Sequence, residues 1–431
     1  MTQADIILNR LCELQGTNFE VTDVKVTENQ ILWQVEHKEK AKYICPRCKA
    51  ELEQSHDWRW ITIQDVPFGR KKCIWRVKRH RLLCSCSMNV SVEYMPFRSK
   101  QHFLTQRLVD LIEQTLCSKM FTVADVARLF ELDYGVVYKI DHEVLLRLIQ
   151  QVQIPDPIHI SIDEKSFKKG HSYVTIVTDT DTKDVIWVSE GNRKDSLDQF
   201  FIAIGPERCK KILTVSKDLH IPYAMSCAEY IPQAKEVADP FHVVQRLNQA
   251  IDESRKELAI ESDLTVARRK TISNLQWVLR YKKENMKNGH LENLQALRRI
   301  NEPLYQAYLH KEVFYEFFEF KPNQIQEAKV FLLRWTVEAF KIGLKAFTAF
   351  ADYLSRNCEI LLNIVRTQRN SAISEGINRK ISVIKSMAYG YRNVQYFMLK
   401  IMQRCGVLGT LWKPVFHYSS QVRLLSMAQT L

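Results

Sequence analysis

Two short apolar runs that each close on an aspartate constrain this chain more than any other feature. "IHISID" ends at Asp163, and "KKILTVSKD" ends at Asp218. With a side-chain period of two, Ile158, Ile160 and Ile162 share one face of a strand that stops near Asp163, while His159, Ser161 and Asp163 share the other. Glu164 falls on the isoleucine side. In the second run Ile212, Leu213 and Val215 are apolar, and Thr214, Ser216 and Asp218 share a parity. Between the runs lie "HSYVTIVTDT" and "KDVIWVSEG", which read as strands, and "DSLDQFFIAI", which reads as a helix. A helical crossover makes the last strand parallel to the first, and in open α/β sheets the functional crevice lies outside the carboxyl ends of the strands. Asp163 and Asp218 are therefore expected side by side at one mouth. Two close carboxylates repel unless a cation lies between them, and hard oxygen ligands suit Mg²⁺ or Mn²⁺. A pair of loop or helix-capping aspartates fits the same pattern.

Further along, "EVADPFHVVQRLNQAID" ends another apolar run at Asp239 and sets His242 three residues on. The default reading of Asp239 is a cap for the following helix. From about residue 250 to 365 the chain reads as helix, broken at Pro303 and Pro322, with aromatic residues that belong to a core. In "TQRNSAISEGINRKISVIKSMAYGYRN", Ile373, Ile377, Ile381 and Ile384 form an inner stripe, so Glu375, Asn378 and Ser382 lie on another face.

The first third of the chain has a different character. Cys45-Pro46-Arg47-Cys48 is a CxxC knuckle, and Cys84-Ser85-Cys86 supplies a second, tighter pair. Four thiolates satisfy tetrahedral Zn²⁺, and two such pairs joined by a hairpin make a ribbon; Cys73, His56 and His80 are the substitutes should Cys86 not reach. Between the pairs, "GRKKCIWRVKRHRLL" interleaves Arg70, Lys71, Lys72, Arg76, Lys78, Arg79 and Arg81 with Trp75 and Val77. Those cations can lie along phosphates, with Trp58, Trp60 and Trp75 packing or stacking, or they can protect a solvated edge strand from aggregation. In "FTVADVARLFELDYGVVYKI", Thr122 and Asp125 have capping-box spacing, and Val123, Val126, Ala127 and Phe130 form one apolar face. A second helix begins near Tyr134 with Val136, Val137 and Ile140 inward. A helix-turn-helix follows, presenting Tyr134, Tyr138 and Lys139 to a major groove, although any small helical bundle offers two such helices.

The formal net charge of +13 over 431 residues favours a polyanionic partner, nucleic acid being the commonest. The amino-terminal segment lacks the basic region and apolar core of a signal peptide, and no run of apolar residues is long enough to span a bilayer. With 11 cysteines, an odd number and unevenly spread, the expected location is a reducing cytoplasm.

Taken together, the cysteine ribbon, the helix-turn-helix, "IDEKSF", "VSKD", "ADPFHVVQ" and "SEGINRKISVIKSMAYGYRN" resemble the ISL-three (ISL3) family of bacterial insertion-sequence transposases, of the D-D-E class. The resemblance implies an α/β fold: an RNase H-like catalytic domain interrupted by an all-helical insertion and preceded by the zinc-ribbon-like module and the helix-turn-helix. It implies residues 1–95 as the ribbon module, 96–150 as the helix-turn-helix and 151–255 as the first part of the catalytic domain. Residues 256–365 would be the insertion, and 366–431 the final acidic helix and tail. Asp163, Asp218 and Glu375 would form the acidic triad, and Asp239 with His242 looks like an accompanying acid-x-x-His motif, which keeps Asp239 a rival to Asp218 for second ligand.

The triad would hold two Mg²⁺ ions about 4 Å apart for phosphodiester hydrolysis and strand transfer, with Lys165 and His242 orienting phosphate or water. Double-stranded DNA (terminal inverted repeats and target) is the implied substrate, bound by a homodimer or larger assembly. The rival from another class is a DNA-binding regulator that has kept the fold and lost catalysis, and a second rival is a nuclease without strand transfer. Intact acids at all three positions favour the transposase.

Overall fold

The computed structural model describes residues 3–411 except 88, 119, 169–171, 218–220, 261–264, 287 and 369–371, together with the backbone but not the side chains of 3–5, 267, 288, 372–375 and 410. The chain divides into two compact units, Met1–Val152 with Leu408–Leu431, and Gln153–Val407.

In the first unit, α1 (Gln3–Leu11) leads into β1 (Phe19–Val26) and β2 (Gln30–His37). A small hairpin, β3 (Tyr43–Ile44) and β4 (Glu51–Leu52), precedes the long strands β5 (Asp57–Phe68) and β6 (Lys71–Leu82) and the short β7 (Ser91–Val92). The main sheet runs β1-β2-β6-β5 with β7 on β6; β2 and β6 are parallel and the other pairs antiparallel. Alternation sorts β6 from Cys73 to Arg79: Cys73, Trp75 and Val77 join Phe19, Trp33, Ile61 and Ile63 in the core, while Arg76 and Lys78 lie on the other face; beyond it His80 is also buried and Arg81 is exposed.

Three helices follow, α2 (Gln106–Cys117), α3 (Val123–Leu129) and α4 (Tyr134–Ile149). The expected capping box is present: Thr122 Oγ1 accepts the Asp125 N–H at 3.1 Å, and Asp125 Oδ2 accepts the Thr122 N–H at 3.0 Å. Asp133 starts α4 by accepting the Gly135 N–H at 2.7 Å. Val123, Val126, Ala127, Phe130, Val137 and Ile140 are buried as expected; Val136 is only half-buried.

The second unit opens with β8 (His159–Lys168), β9 (Ser172–Asp179) and β10 (Asp184–Glu190), an antiparallel meander. Then come α5 (Lys194–Ile204), α6 (Pro206–Cys209), β11 (Thr214–Lys217), α7 (Ile221–Tyr230) and β12 (Lys235–Ala238). The sheet order is β10-β9-β8-β11-β12, with β11 parallel to both β8 and β12, as the helical crossover required. Ile160, Ile162 and Val215 pack with Leu197, Phe200, Phe201, Tyr223 and Cys227 of α5 and α7.

Two expectations about these strands need correction. Ile158, expected to be buried with Ile160 and Ile162, is 47% exposed, because the ladder with β11 begins one residue later, at His159 and Thr214. Nor does β8 stop at Asp163. It continues five residues further against β9; among the described residues its parallel pairing with β11 runs as far as Ile162 and Lys217.

Among the described residues seven α-helices follow: α8 (Pro240–Ile260), α9 (Val266–Asn274), α10 (Asn288–Ile300), α11 (Glu302–Phe314), α12 (Ile325–Ile342), α13 (Lys345–Arg356) and α14 (Cys358–Thr367). They start ten residues earlier than the sequence pattern suggests, since the helix begins directly after Asp239. They enclose one core that includes Tyr308, Phe314, Phe317, Trp335, Phe347 and Phe350, so these aromatics pack and do not form a stacking surface. Finally α15 (Ala372–Met387) and α16 (Val394–Cys405) return to the sheet, and α17 (Leu408–Leu411) belongs to the first unit. Ile377, Ile381 and Ile384 of the expected inner stripe are buried; the Ile373 side chain lies outside the described residues. Phe167 of β8 meets Phe397 of α16 at 5.4 Å between rings, on the face opposite the isoleucines.

Candidate active site and metal centre

Asp163 occupies the first position of β8 beyond its parallel partner. The polar face predicted for this strand exists, since His159 Nδ1 lies 2.7 Å from Thr214 Oγ1 of β11. Asp163 Oδ1 accepts the Glu164 N–H at 2.7 Å, and Oδ2 accepts the side-chain amide of Asn378 on α15. Lys385 of the same helix donates to the Ser166 carbonyl at 3.0 Å and fastens α15 along β8. Burial pushes the Asp163 carboxyl above the usual carboxylate range; the bonds from Asn378 and Glu164 and the His242 imidazole oppose this, and the Asp239 carboxylate adds to it.

Asp239 follows β12 at the same end of the sheet and is buried. Its Oδ1 accepts the Phe241 N–H at 2.8 Å, so it caps α8 as the default reading has it. Its other oxygen is 3.9 Å from His242 Nε2, and His242 Nδ1 lies 3.3 Å from Gln245 Oε1. Glu164 points to the isoleucine face and takes a 2.9 Å bond from Asn192. Lys165 is half-buried and shares the parity of Asp163. Asp218 lies outside the described residues, and so does the side chain of Glu375, whose backbone sits in the first turn of α15.

Asn378 is the site residue that sequence reasoning placed on a face but gave no role. Its signal was its position one helical turn after Glu375, which puts both on one side of α15. Asn378 Oδ1 is buried and, among the described residues, has no hydrogen-bond partner. Such an amide oxygen beside a half-buried carboxylate with a raised pKa is a donor set that suits a hard divalent cation.

In the first unit the four thiols meet. Sulfur atoms of Cys45, Cys48, Cys84 and Cys86 all lie within 4.8 Å of one another, with Cys48–Cys84 at 3.5 Å and Cys45–Cys86 at 3.7 Å. Cys86 therefore completes the set despite its one-residue spacing. His80 and Cys73 are buried elsewhere in the sheet, His80 beside Ser55. The β3–β4 hairpin shapes the knuckle, with Cys45 N–H bonded to the Ala50 carbonyl at 2.9 Å. The backbone N–H of Cys48 draws the Cys45 thiol down to about 6, while its sulfur neighbours, Cys48 first, push Cys86 up to about 12. Such a cluster releases its first proton easily and its last with difficulty, and Zn²⁺ relieves that repulsion.

The basic strand divides by parity. Arg76 is exposed and lies 4.6 Å over Trp60, and Lys78 lies 4.6 Å over Trp58 and 3.2 Å from Glu36. Arg81 is held by Asp57 through both carboxylate oxygens. Arg79 faces inward at 7% exposure and is no surface cation, a correction that follows from its sharing the parity of Trp75 and Val77. On α4, Tyr134, Tyr138 and His142 stack in a ladder with rings 6.3 and 5.9 Å apart, beside an exposed Lys139.

No described helix is long and apolar enough to cross a membrane. Among known families, the transposase model of the DDE, ISL3 type matches residues 160–401, and the zinc-finger model of the IS204/IS1001/IS1096/IS1165 transposases matches residues 42–86. The chain is 29% identical over 360 residues to the transposase of insertion sequence element IS1001 from Bordetella parapertussis, covering 83% of this chain and 87% of that one. It is 28% identical over 258 residues to the IS1557 transposase of Mycobacterium tuberculosis (strain CDC 1551 / Oshkosh), covering 55% of this chain and 57% of that one. A match over more than half the chain, joined to a four-cysteine centre within the zinc-finger match, makes this protein a member of the ISL3 family of DDE transposases.

Proposed function

We propose that the protein binds the terminal inverted repeats of its element, hydrolyses a phosphodiester at each end in a metal-dependent step, and joins the freed 3′-hydroxyl to target DNA. The observation that carries this reading is the placement of Asp163: a half-buried carboxylate with a raised pKa, directly after the Ile162–Lys217 pair, tied to α15 and near Asp239 and His242. The sheet order supports an RNase H-like domain, an antiparallel meander followed by two parallel strands with helices on both faces.

Asp163, Asp218 and Glu375 are read as the acidic triad. Asp218 directly follows Lys217, the register partner of Ile162, and Glu375 precedes Asn378 by one helical turn. Mg²⁺ or Mn²⁺ bound by these carboxylates, and by Asn378 Oδ1, would polarise the scissile phosphate and lower the pKa of an attacking water. The protein's own residues do the positioning. Asn378 and the Glu164 N–H fix the Asp163 rotamer, Asp239 holds the start of α8, and His242 and Lys165 are placed to orient phosphate.

Residues 1–95 and 96–150 would bind the repeats through Arg76, Lys78, Arg81, Tyr134, Tyr138 and Lys139, with Arg79 supporting from within. Residues 151–255 and 366–407 would form the catalytic domain around a helical insertion, 256–365, since the segment from Leu408, expected with the final helix, groups with the first unit. Two ends require two sites, hence a homodimer or larger assembly on DNA in the bacterial cytoplasm.

Incubating the protein with Mg²⁺ and DNA carrying the element's flanking repeats tests this. Nicking at the ends followed by joining is the expected result, and Asp163→Asn should abolish both while leaving end binding intact. Binding without nicking by the unaltered chain would leave a DNA-binding regulator, and nicking without joining would leave a nuclease.

A further inference from the structure

Helix α12 is anchored on one side by Ala328, Leu332, Trp335, Thr336 and Ala339, all buried. Its opposite side does not return to polar residues, as a surface helix ordinarily does. Val330, Leu333, Val337 and Phe340 stand 45%, 54%, 53% and 49% exposed. Their spacing of three, four and three residues is the a/d repeat of a coiled-coil seam, with valines at a and Leu333 and Phe340 at d. Beside that seam lies a groove of about 610 Å³, lined in part by Val313, Val330, Phe331 and Trp335.

We propose that this face is a homodimer seam, pairing antiparallel with α12 of a second copy about a two-fold axis near Trp335. In that register Val330 meets Phe340 of the second copy and Leu333 meets Val337, each contact occurring twice by symmetry. The groove bordered by Val330 gives the phenylalanine ring a place to enter.

Charge selects both the occupant and its direction. At heptad position e stand Glu327, Arg334 and Lys341, and Lys329 stands at g. Antiparallel pairing sets e against e: Glu327 comes opposite Lys341 of the second copy at both ends of the seam, Lys341 also bonding Glu338 of its own helix at 2.6 Å, and the two Arg334 side chains, exposed and free to splay, meet once at the axis. Parallel pairing would instead set Lys329 against Arg334. One helix pair buries less than the roughly 800 Å² per partner of a standard interface, so the groove contact matters and association in the micromolar range is expected. The inference stands apart from the metal chemistry above and needs no DNA.

Sedimentation of the full chain without DNA tests it. The unaltered protein should show a concentration-dependent monomer–dimer equilibrium. Leu333→Lys and Val337→Glu, each at an exposed position that leaves the anchored side of α12 untouched, should separately weaken the dimer at least tenfold. Combined in one chain they should restore it, because the antiparallel register sets the new cation against the new anion. A parallel seam would set like charges together and leave the combined variant monomeric. A monomeric unaltered chain, single variants that still dimerise fully, or a combined variant that stays monomeric would each overturn the proposal.

Discussion

The side-chain amide of Asn378 donates to Oδ2 of Asp163, joining α15 to the central strand β8 across 215 positions of sequence. A charge-assisted bond of this kind is worth about 1.5–3 kcal/mol, and it acts against the burial that raises the Asp163 pKa. Asn378→Leu should therefore slow cleavage by roughly 10- to 100-fold. It should also move the acid limb of the pH–rate profile to higher pH, since the carboxylate then loses a donor that favours its charged form. A profile that falls in height without moving would mean that Asn378 does not act through Asp163.

The same pKa has a consequence for stability. The Asp163 pKa is raised in the fold, so its contribution to stability is present at low pH, below the ordinary value, and is lost as pH rises through the raised one. Above that raised pKa the ionised group is a local cost. Asp163→Asn should accordingly melt no lower than the unaltered chain on the alkaline side of that transition, without divalent cation. Added Mn²⁺ should raise the melting temperature of the unaltered chain and not that of the variant, a difference that differential scanning fluorimetry reads directly.

For the ribbon, Cys86 is the informative ligand because its spacing is the irregular one. Cys86→Ser should reduce bound zinc, measured by elemental analysis, well below one ion per chain. It should also weaken binding of repeat DNA, since the β3–β4 knuckle loses the ion that holds it to the second cysteine pair. Full zinc content in this variant would point to another fourth ligand.

Arg76 and Arg79 are three residues apart and should behave differently. Arg76→Ala, on the exposed face over Trp60, should weaken DNA binding at all sequences and lower the salt slope by about 1. Arg79→Ala, on the buried face, should lower the melting temperature and leave that slope unchanged.

Much of this was legible in the sequence because it depends on period and spacing. Parity put Asp163 with Ser161 and His159, the crossover made β11 parallel to β8, and Thr122 with Asp125 marked the start of α3. Parity also held the answer for Arg79, obscured because cations fall on both faces of β6. Cys86 was read as the fourth thiolate from its nearness to Cys84 in sequence, and the structure brings it to the other three. Two things were not legible, because each depends on contacts between distant segments: the extension of β8 past Asp163 and the Asn378 bond that ties α15 to the sheet.

The most direct measurement of the central claim is the position of Mn²⁺ in crystals of the protein, located by anomalous scattering. The account predicts manganese about 2.1–2.3 Å from an Asp163 carboxylate oxygen, with carboxylates of Asp218 and Glu375 completing the site. Manganese bound elsewhere, or Asp218 and Glu375 turned to separate regions while Asp163 keeps only Asn378 and Glu164, would contradict it.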